Sequence, residues 1–329
     1  MYTSRRLLKA NARTIIQSAK PSVISAALIY IAVTALLSYL SRAVAGYTPE
    51  DLAELIEKYA YGSASMNGPT ELYYALIPSP FARFLIIAIR VVSYVLSAGF
   101  LIFLFNTVKK SGAVYGNLLD GFELTGKLIW LSFLQGLFVF LLTLPFCFLF
   151  SLVFFLIIYV ATASNGSAAA FLDAAFSAVG SPVTDPAQMV PLLLYMLGMF
   201  LLMTVCVLVP MLIFNYRYRM GLFYLLDHPE MRAIDCLRAS KKMMSGHKWE
   251  CFKLDLSFLG WYILLFVPVF AFAFAPSFLP LVGTALSYAV LVWVQPYINT
   301  TMVLYYMALA GKPVIVTPSS AQPPYGIIE

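Results

Sequence analysis

Charge is scarce in this chain. Only 11% of its 329 residues are Asp, Glu, Lys or Arg and 61% are hydrophobic, against about 25% and roughly 45–50% in an ordinary soluble domain. A surface that poor in polar groups excludes a freely soluble globule. Histidine is nearly missing, with His228 and His247 alone. No HExxH, GxSxG or GxxxxGK[ST] occurs, so metallopeptidase, serine-hydrolase and ATP-driven readings lose their usual support. The four cysteines, Cys147, Cys206, Cys236 and Cys251, form no CxxC pair, and neither a disulfide nor a thiolate metal site is expected. With no cluster of nucleophile, acid-base group and metal ligands, the chain is expected to be no enzyme and to carry no cofactor.

Long uninterrupted apolar runs are what it has instead. They fall at about 22–45, 84–108, 128–162, 189–215, 256–275 and 281–310, each long enough at 1.5 Å per residue to cross a hydrocarbon core of about 30 Å. Ala43-Val44-Ala45 imitates a signal-peptidase site. The first run nevertheless exceeds a signal h-region, and a basic helix-length segment precedes it, so it is expected to stay as a span. The third run overshoots the bilayer and needs tilt, a projecting end or a kink at Pro145.

Lys and Arg set the orientation. Seventeen of the 21 lie in 1–20, in the second connection, between 217 and 253, or at Lys312, whereas the connections 46–83 and 163–188 hold only Lys58 and Arg83 and seven of the 15 acids. Basic residues resist translocation, so these two connections are assigned outside. The expected architecture is an all-α integral membrane protein. It is a bundle of six transmembrane helices over 21–310, with amphipathic interfacial helices, both termini cytoplasmic, a cytoplasmic connection at 216–255 and a cytoplasmic tail at 311–329. The net charge of +6 then reads as topology and contact with anionic lipid of the inner leaflet, and no nucleic-acid partner is expected.

Amphipathic pieces join the runs. At about 100° per residue, Arg5, Arg6, Lys9, Arg13 and Lys20 share one sector, with Leu8, Ala12, Ile15, Ile16 and Ala19 beside it. Asp227-His228-Pro229-Glu230 has the pattern of an N-cap. A helix is expected to start there and end near Gly246, with Met243 and Met244 toward acyl chains and Arg238, Lys241 and Lys242 near headgroups. Outside, Thr48-Pro49-Glu50-Asp51 should cap a short helix presenting Leu52, Leu55, Ile56 and Tyr59. Leu8-Lys9-Ala10-Asn11 parallels Leu237-Arg238-Ala239-Ser240, and Gly116–Lys127 is a weaker third copy. One unit of surface helix plus two spans, used three times, accounts for that pattern.

Few polar groups enter the runs. Arg90 stands seven residues from Arg83 in the second run and either snorkels to headgroups or faces the bundle. Asp255, Gln295 and Asn299 complete the candidate intramembrane polar site. Prolines at 145, 191, 210, 268, 276 and 296 are compatible with simple kinks or with the broken helices that form transporter sites.

Residues 215–261 carry a more specific signal: Tyr216, Tyr218, Met220, Tyr224, Leu226-Asp227, Pro229, LRASKKMM from Leu237, Gly246, Lys248-Trp249 and LDLSFLGW from Leu254. QPYINTT from Gln295, Tyr305-Tyr306 and the opening RRLLKANARTII continue it. Together these resemble the uncharacterised bacterial membrane family catalogued as domain of unknown function 975. The connections 46–80 and 164–186 are longer than that family's usual ones. The resemblance implies a multi-pass helical fold in the cell membrane and no chemistry. The functional expectation is a non-enzymatic inner-membrane protein acting through helix contacts or lipid-surface organisation, with a membrane-protein partner. A transporter or flippase-like carrier is the alternative.

Overall fold

The computed structural model describes residues 5–45, 79–163, 197–198, 200–273 and 279–312. The outer-surface helix expected after Thr48, the bulk of both outer connections and the tail beyond Lys312 lie outside the described residues. All regular structure among those described is helical: α1 (Arg5–Ser18), α2 (Val23–Ala45), α3 (Pro80–Lys109), two short 3-10 turns (Tyr115–Leu118 and Asp120–Phe122) and α4 (Thr125–Ala163). A π-helical turn (Thr204–Leu208) leads into α5 (Val209–Tyr218), followed by α6 (Gly221–Asp227), α7 (Ala233–Met243), α8 (Lys248–Leu256), α9 (Leu259–Ala273) and α10 (Leu279–Leu309). Five stretches are long and apolar enough to cross a membrane by length and composition: Val23–Ala45, Pro80–Lys109, Thr125–Phe154, Phe200–Asp227 and Lys248–Pro268.

Two of those boundaries correct the sequence reading. The fourth helical stretch continues twelve residues past 215 to Asp227, and the fifth starts at Lys248, so 216–255 is a chain of helices joined by short turns. The supposed N-cap at Asp227 is instead the last residue of α6, and the next helix begins at Ala233. The amide of His228 still bonds to the Tyr224 carbonyl at 3.0 Å, and Pro229, which has no N–H to offer, helps end the helix. Gly246, at φ +85°, supplies the left-handed turn expected there.

Contacts divide the described residues into two units. The first draws on Met1–Ile129, Leu222–Arg232 and Lys253–Glu329. Its core lies at one end of its helices, where Val95–Val108 of α3, Val294–Met307 of α10 and Val23, Ala26, Ala27 and Ile31 of α2 supply the buried side chains. Small residues let α2 and α3 approach there, and Tyr30 stacks on Phe100 at 4.9 Å between centroids. Toward the other end, Leu36, Tyr39, Phe81 and Phe84 are exposed, a distribution that water would punish and hydrocarbon would not. Ser79 caps α3 by accepting from the Ala82 amide at 3.2 Å, ahead of Pro80 in the first turn.

The 3-10 turns lie backbone to backbone on α3. A Cβ at Gly99 would sit 2.0 Å from the Leu118 carbonyl oxygen, and one at Gly121 would sit 2.3 Å from that of Val95.

The second unit draws on Trp130–Gly221 and Ala233–Phe252. Gln135 of α4 donates to Asn215 of α5 at 3.3 Å, and Phe138 stacks on Tyr218 at 5.9 Å. Pro210 has no amide to give Cys206, and the π-helical turn just before it absorbs the break. The expected apolar face of α7 is real, but Ala233, Cys236, Leu237, Ser240 and Met244 are buried in protein. Leu237 packs on Gly221, and the Ser240 hydroxyl donates to the Arg217 carbonyl at 3.2 Å. The assignment of Met244 to acyl chains is thereby overturned, while Met243 is half-buried.

Within these units one packing relation recurs. The 3-10 turns lie on α3, α7 lies on α5, and α1 lies on α10. Each of these elements has a buried leucine: Leu118, Leu237 and Leu8 respectively.

Gly99→Ala should therefore lower the melting temperature of the detergent-solubilised chain. The overpacking penalty is about 3 kcal/mol, since backbone and not a side-chain tip must move. Gly136→Ala in α4, where nothing lies within 4 Å, should leave the temperature unchanged or slightly raised, because Ala exceeds Gly in helix propensity by up to about 1 kcal/mol. Equal melting temperatures for the two variants would show that the close approach at Gly99 is not made.

Candidate functional site

In the first unit the most concentrated electrostatics surround Asp227. Its side chain is 1% exposed. Lys109, the last residue of α3, donates to Oδ1 at 2.6 Å. Tyr306 of α10 donates its hydroxyl to Oδ2 at 2.7 Å, and Lys312, three residues past α10, donates to the same oxygen. Rings orient these groups: Phe105, Phe223 and Tyr306 form a mutually packed trio with centroids 5.6–6.2 Å apart. His228 stacks on Tyr224 at 4.6 Å and holds Nδ1 3.6 Å from Asp227 Oδ2. A buried carboxylate accepting from two ammonium groups and a phenol has three of its roughly four acceptor sites filled inside the protein. The arrangement pins the ends of α3, α6 and α10, and His228 Nδ1 is buried beside it with no hydrogen-bond partner among the described residues.

Sequence reasoning missed this cluster because its members are 79 to 118 positions apart. The only signal was that Leu226-Asp227 and Tyr305-Tyr306 both fall in the motifs that carry the family resemblance.

A second constellation is the basic face of α1. Lys9 donates to the Ser257 carbonyl at 2.9 Å, and Arg5 reaches that of Lys253 at 3.5 Å, so both cations address the carbonyl-rich end of α8, where the helix dipole favours them. Lys9 also lies 4.1 Å from the Phe258 ring centroid and Arg13 5.3 Å from that of Tyr297. Burial first, then the neighbouring Arg13 and Arg5, lower the pKa of the Lys9 ammonium from its ordinary value. Arg6 is exposed. The sequence offers seven cations as headgroup contacts, Arg5, Arg6, Lys9 and Arg13 here and Arg238, Lys241 and Lys242 on α7; of the four on α1, three thus make contacts to protein. Beside them Arg13, Ile16, Ile24, Trp261, Trp293 and Tyr297 line an open groove of about 250 Å³.

The intramembrane polar residues named from sequence do not converge. Arg90 is exposed on α3 and makes no ion pair or hydrogen bond with a described residue. Gln295 donates to the Tyr30 hydroxyl at 3.3 Å, joining α10 to α2. Asn299 follows one turn later, and the adjacent Thr300 hydroxyl is buried without a hydrogen-bond partner among the described residues. Asp255 is half-buried near the end of α8. On α7, Arg238, Lys241 and Lys242 are exposed, with Arg238 3.3 Å from Asp235.

Asp227→Asn should destabilise the solubilised chain by about 3 kcal/mol. That is the low end for breaking a buried charge pair, because Lys109 and Lys312 are a third exposed and can turn to water. Tyr306→Phe removes one hydrogen bond and should cost about 1 kcal/mol. Thermal melts of the two variants check the order, and an Asp227→Asn melt no lower than that of Tyr306→Phe would contradict the pin.

No curated protein and no solved structure matches the chain. A family model described as protein of unknown function (DUF975) matches residues 1–312, nearly the whole sequence, and both the Asp227 cluster and the α1 face lie inside the match. The chain belongs to the DUF975 family.

Proposed function

We propose that this chain is a six-span protein of a bacterial cell membrane with both ends cytoplasmic, and that it works without catalysis by organising the inner lipid surface and contacting other membrane proteins. The observation that carries this reading is the collar at the basic end of the first unit. There α1 and the 3-10 turns lie across the long helices and cover their ends, while the spread of apolar exposure farther along the helices suits lipid. Five stretches have the length and composition of spans, and α10, with 31 residues, is the sixth. Its basic-end half is enclosed by protein, which is why it can carry Gln295, Asn299, Thr300 and Thr301 among its apolar residues. An even number of spans returns the chain to the side on which it began, and seventeen of 21 Lys and Arg then face the cytoplasm.

A carrier role is the second reading, favoured by the partnerless buried hydroxyl of Thr300 beside Asn299. Arg90, once its sharpest support, is exposed, which fits a side chain snorkelling to headgroups.

Labelling with an impermeant thiol reagent tests the topology. Ser63→Cys and Ser181→Cys should react in intact cells, and Ser245→Cys, at an exposed position, only after permeabilisation. Reaction of Ser245→Cys in intact cells would reverse the orientation. Arg90→Gln separates the two functions. It should leave the melting temperature unchanged with and without native lipid extract, whereas loss of a lipid-dependent rise would move Arg90 into a binding site and favour the carrier.

A further inference from the structure

The groove between α1 and the helices beneath it has two chemically distinct ends. One is cationic: Arg13 stands at its rim, with Lys9 one turn earlier on the same face and Arg5 one turn before that. None of Arg5, Arg6, Lys9 and Arg13 has a carboxylate partner among the described residues, and Arg5 and Arg13 act on Lys9 as uncompensated like charges. The other end is hydrocarbon. Ile16 and Ile24 face Trp261, Trp293 and Tyr297 across it, and Trp293 is 65% exposed. A volume of about 250 Å³ is small for an enclosed small-molecule pocket, which takes roughly 300–1,000 Å³, but an open trough of that size suits a length of methylene chain. Tryptophan beside a cation at the edge of an apolar trough is the pairing found where headgroup meets acyl chain.

We propose that this groove seats one acyl chain of an anionic phospholipid whose phosphate is held by Arg13. The occupant is chosen by charge complementarity. A zwitterionic lipid would bring its own cation to a helix that already carries four, Arg13 at the rim and Arg5, Arg6 and Lys9 before it, and a soluble anion would leave the Ile24, Trp261 and Trp293 trough uncovered. Arg13 is suited to the phosphate because its planar fork, lying against the Tyr297 ring, keeps its outer N–H groups free for paired hydrogen bonds. Lys9, committed to the Ser257 carbonyl, contributes field more than contact. The inference rests on the proposal that the basic end meets a membrane surface and adds a lipid class and a defined seat.

The test uses the full chain with Trp130, Trp249 and Trp261 replaced by Phe, so that Trp293 alone fluoresces, in nanodiscs of phosphatidylcholine. Brominated-tail phosphatidylglycerol is added at a low mole fraction and compared with brominated phosphatidylcholine at the same fraction. The expected result is a local enrichment of the anionic lipid of about fivefold, the worth of one cation near such a surface. Arg13→Gln should abolish the excess, and Arg13→Lys should restore part of it. If the triple replacement disturbs the fold, native mass spectrometry reads the same difference as phosphatidylglycerol molecules retained by the wild-type and Arg13→Gln chains. Equal quenching by the two brominated lipids, or an excess that survives Arg13→Gln, would overturn the proposal. Neither result touches the topology, which the labelling of Ser245→Cys decides separately.

Discussion

A hydrocarbon core about 30 Å thick takes up some 20 helical residues, and α3, α4 and α10 have 30, 39 and 31. A helix of that length that crosses such a core must tilt, kink or project by about ten residues. In the first unit burial marks the section that would project, because the enclosed side chains of α3 run from Val95 to Val108 and those of α10 from Val294 to Met307. Lipid cannot cover this section, and water would meet a surface of Phe, Leu and Val. The chain covers it with its own short elements: α1 on α10 and the 3-10 turns on α3, at a distance that only Gly99 and Gly121 permit. The Asp227 pin belongs to the same construction, since it joins the projecting ends of α3, α6 and α10 with one carboxylate.

The cations that orient the chain also build this collar. Lys9 and Arg5 address the last carbonyls of α8, Lys127 donates to the Pro229 carbonyl, and Lys109 and Lys312 meet Asp227 at the end of α6. A helix C-terminus presents unsatisfied carbonyl groups and a partial negative charge, so a surface made of helix ends has places for ammonium and guanidinium groups before any lipid is considered. The clustering of Lys and Arg at this end is thus accounted for by packing, and the proposed orientation draws on the same distribution.

This explains how much of the molecule could be read in advance. Apolar runs located the long helices to within a few residues at 22–45, 84–108 and 281–310, because length and composition alone define them. The region 216–255 was harder. Asp227 carries the N-cap signature in its next three residues, yet those residues cannot show that Lys109, 118 positions earlier, and Lys312, 85 positions later, take its oxygens. Likewise a 3.6-residue period shows that α1 and α7 have an apolar face and says nothing about what covers it. The cationic side of α1 was legible as a surface, while its division into Lys9 on a carbonyl and Arg13 beside a groove needed the neighbouring helices.

One residue did hold the missing information about α7. Ser240 lies in the middle of the apolar stripe, between Leu237 and Met244. Had that stripe faced acyl chains, its hydroxyl could have bonded only to its own helix, where a back-bond to the preceding turn gains little. Packed on protein it reaches the Arg217 carbonyl, four residues short of Gly221, where the side chain of Leu237 rests. A polar group centred in an apolar face thus argues for a protein neighbour, because only protein can supply a partner at a fixed place. The rule does not extend to α10, where Thr300 and Thr301 are fully buried although Thr301 bonds only back to the Tyr297 carbonyl of its own helix and Thr300 has no hydrogen-bond partner among the described residues. It leaves the face of α2 that bears Leu36 and Leu40, with no polar side chain between them but Ser38 bonded back to Thr34, as the kind of surface that lipid alone can cover.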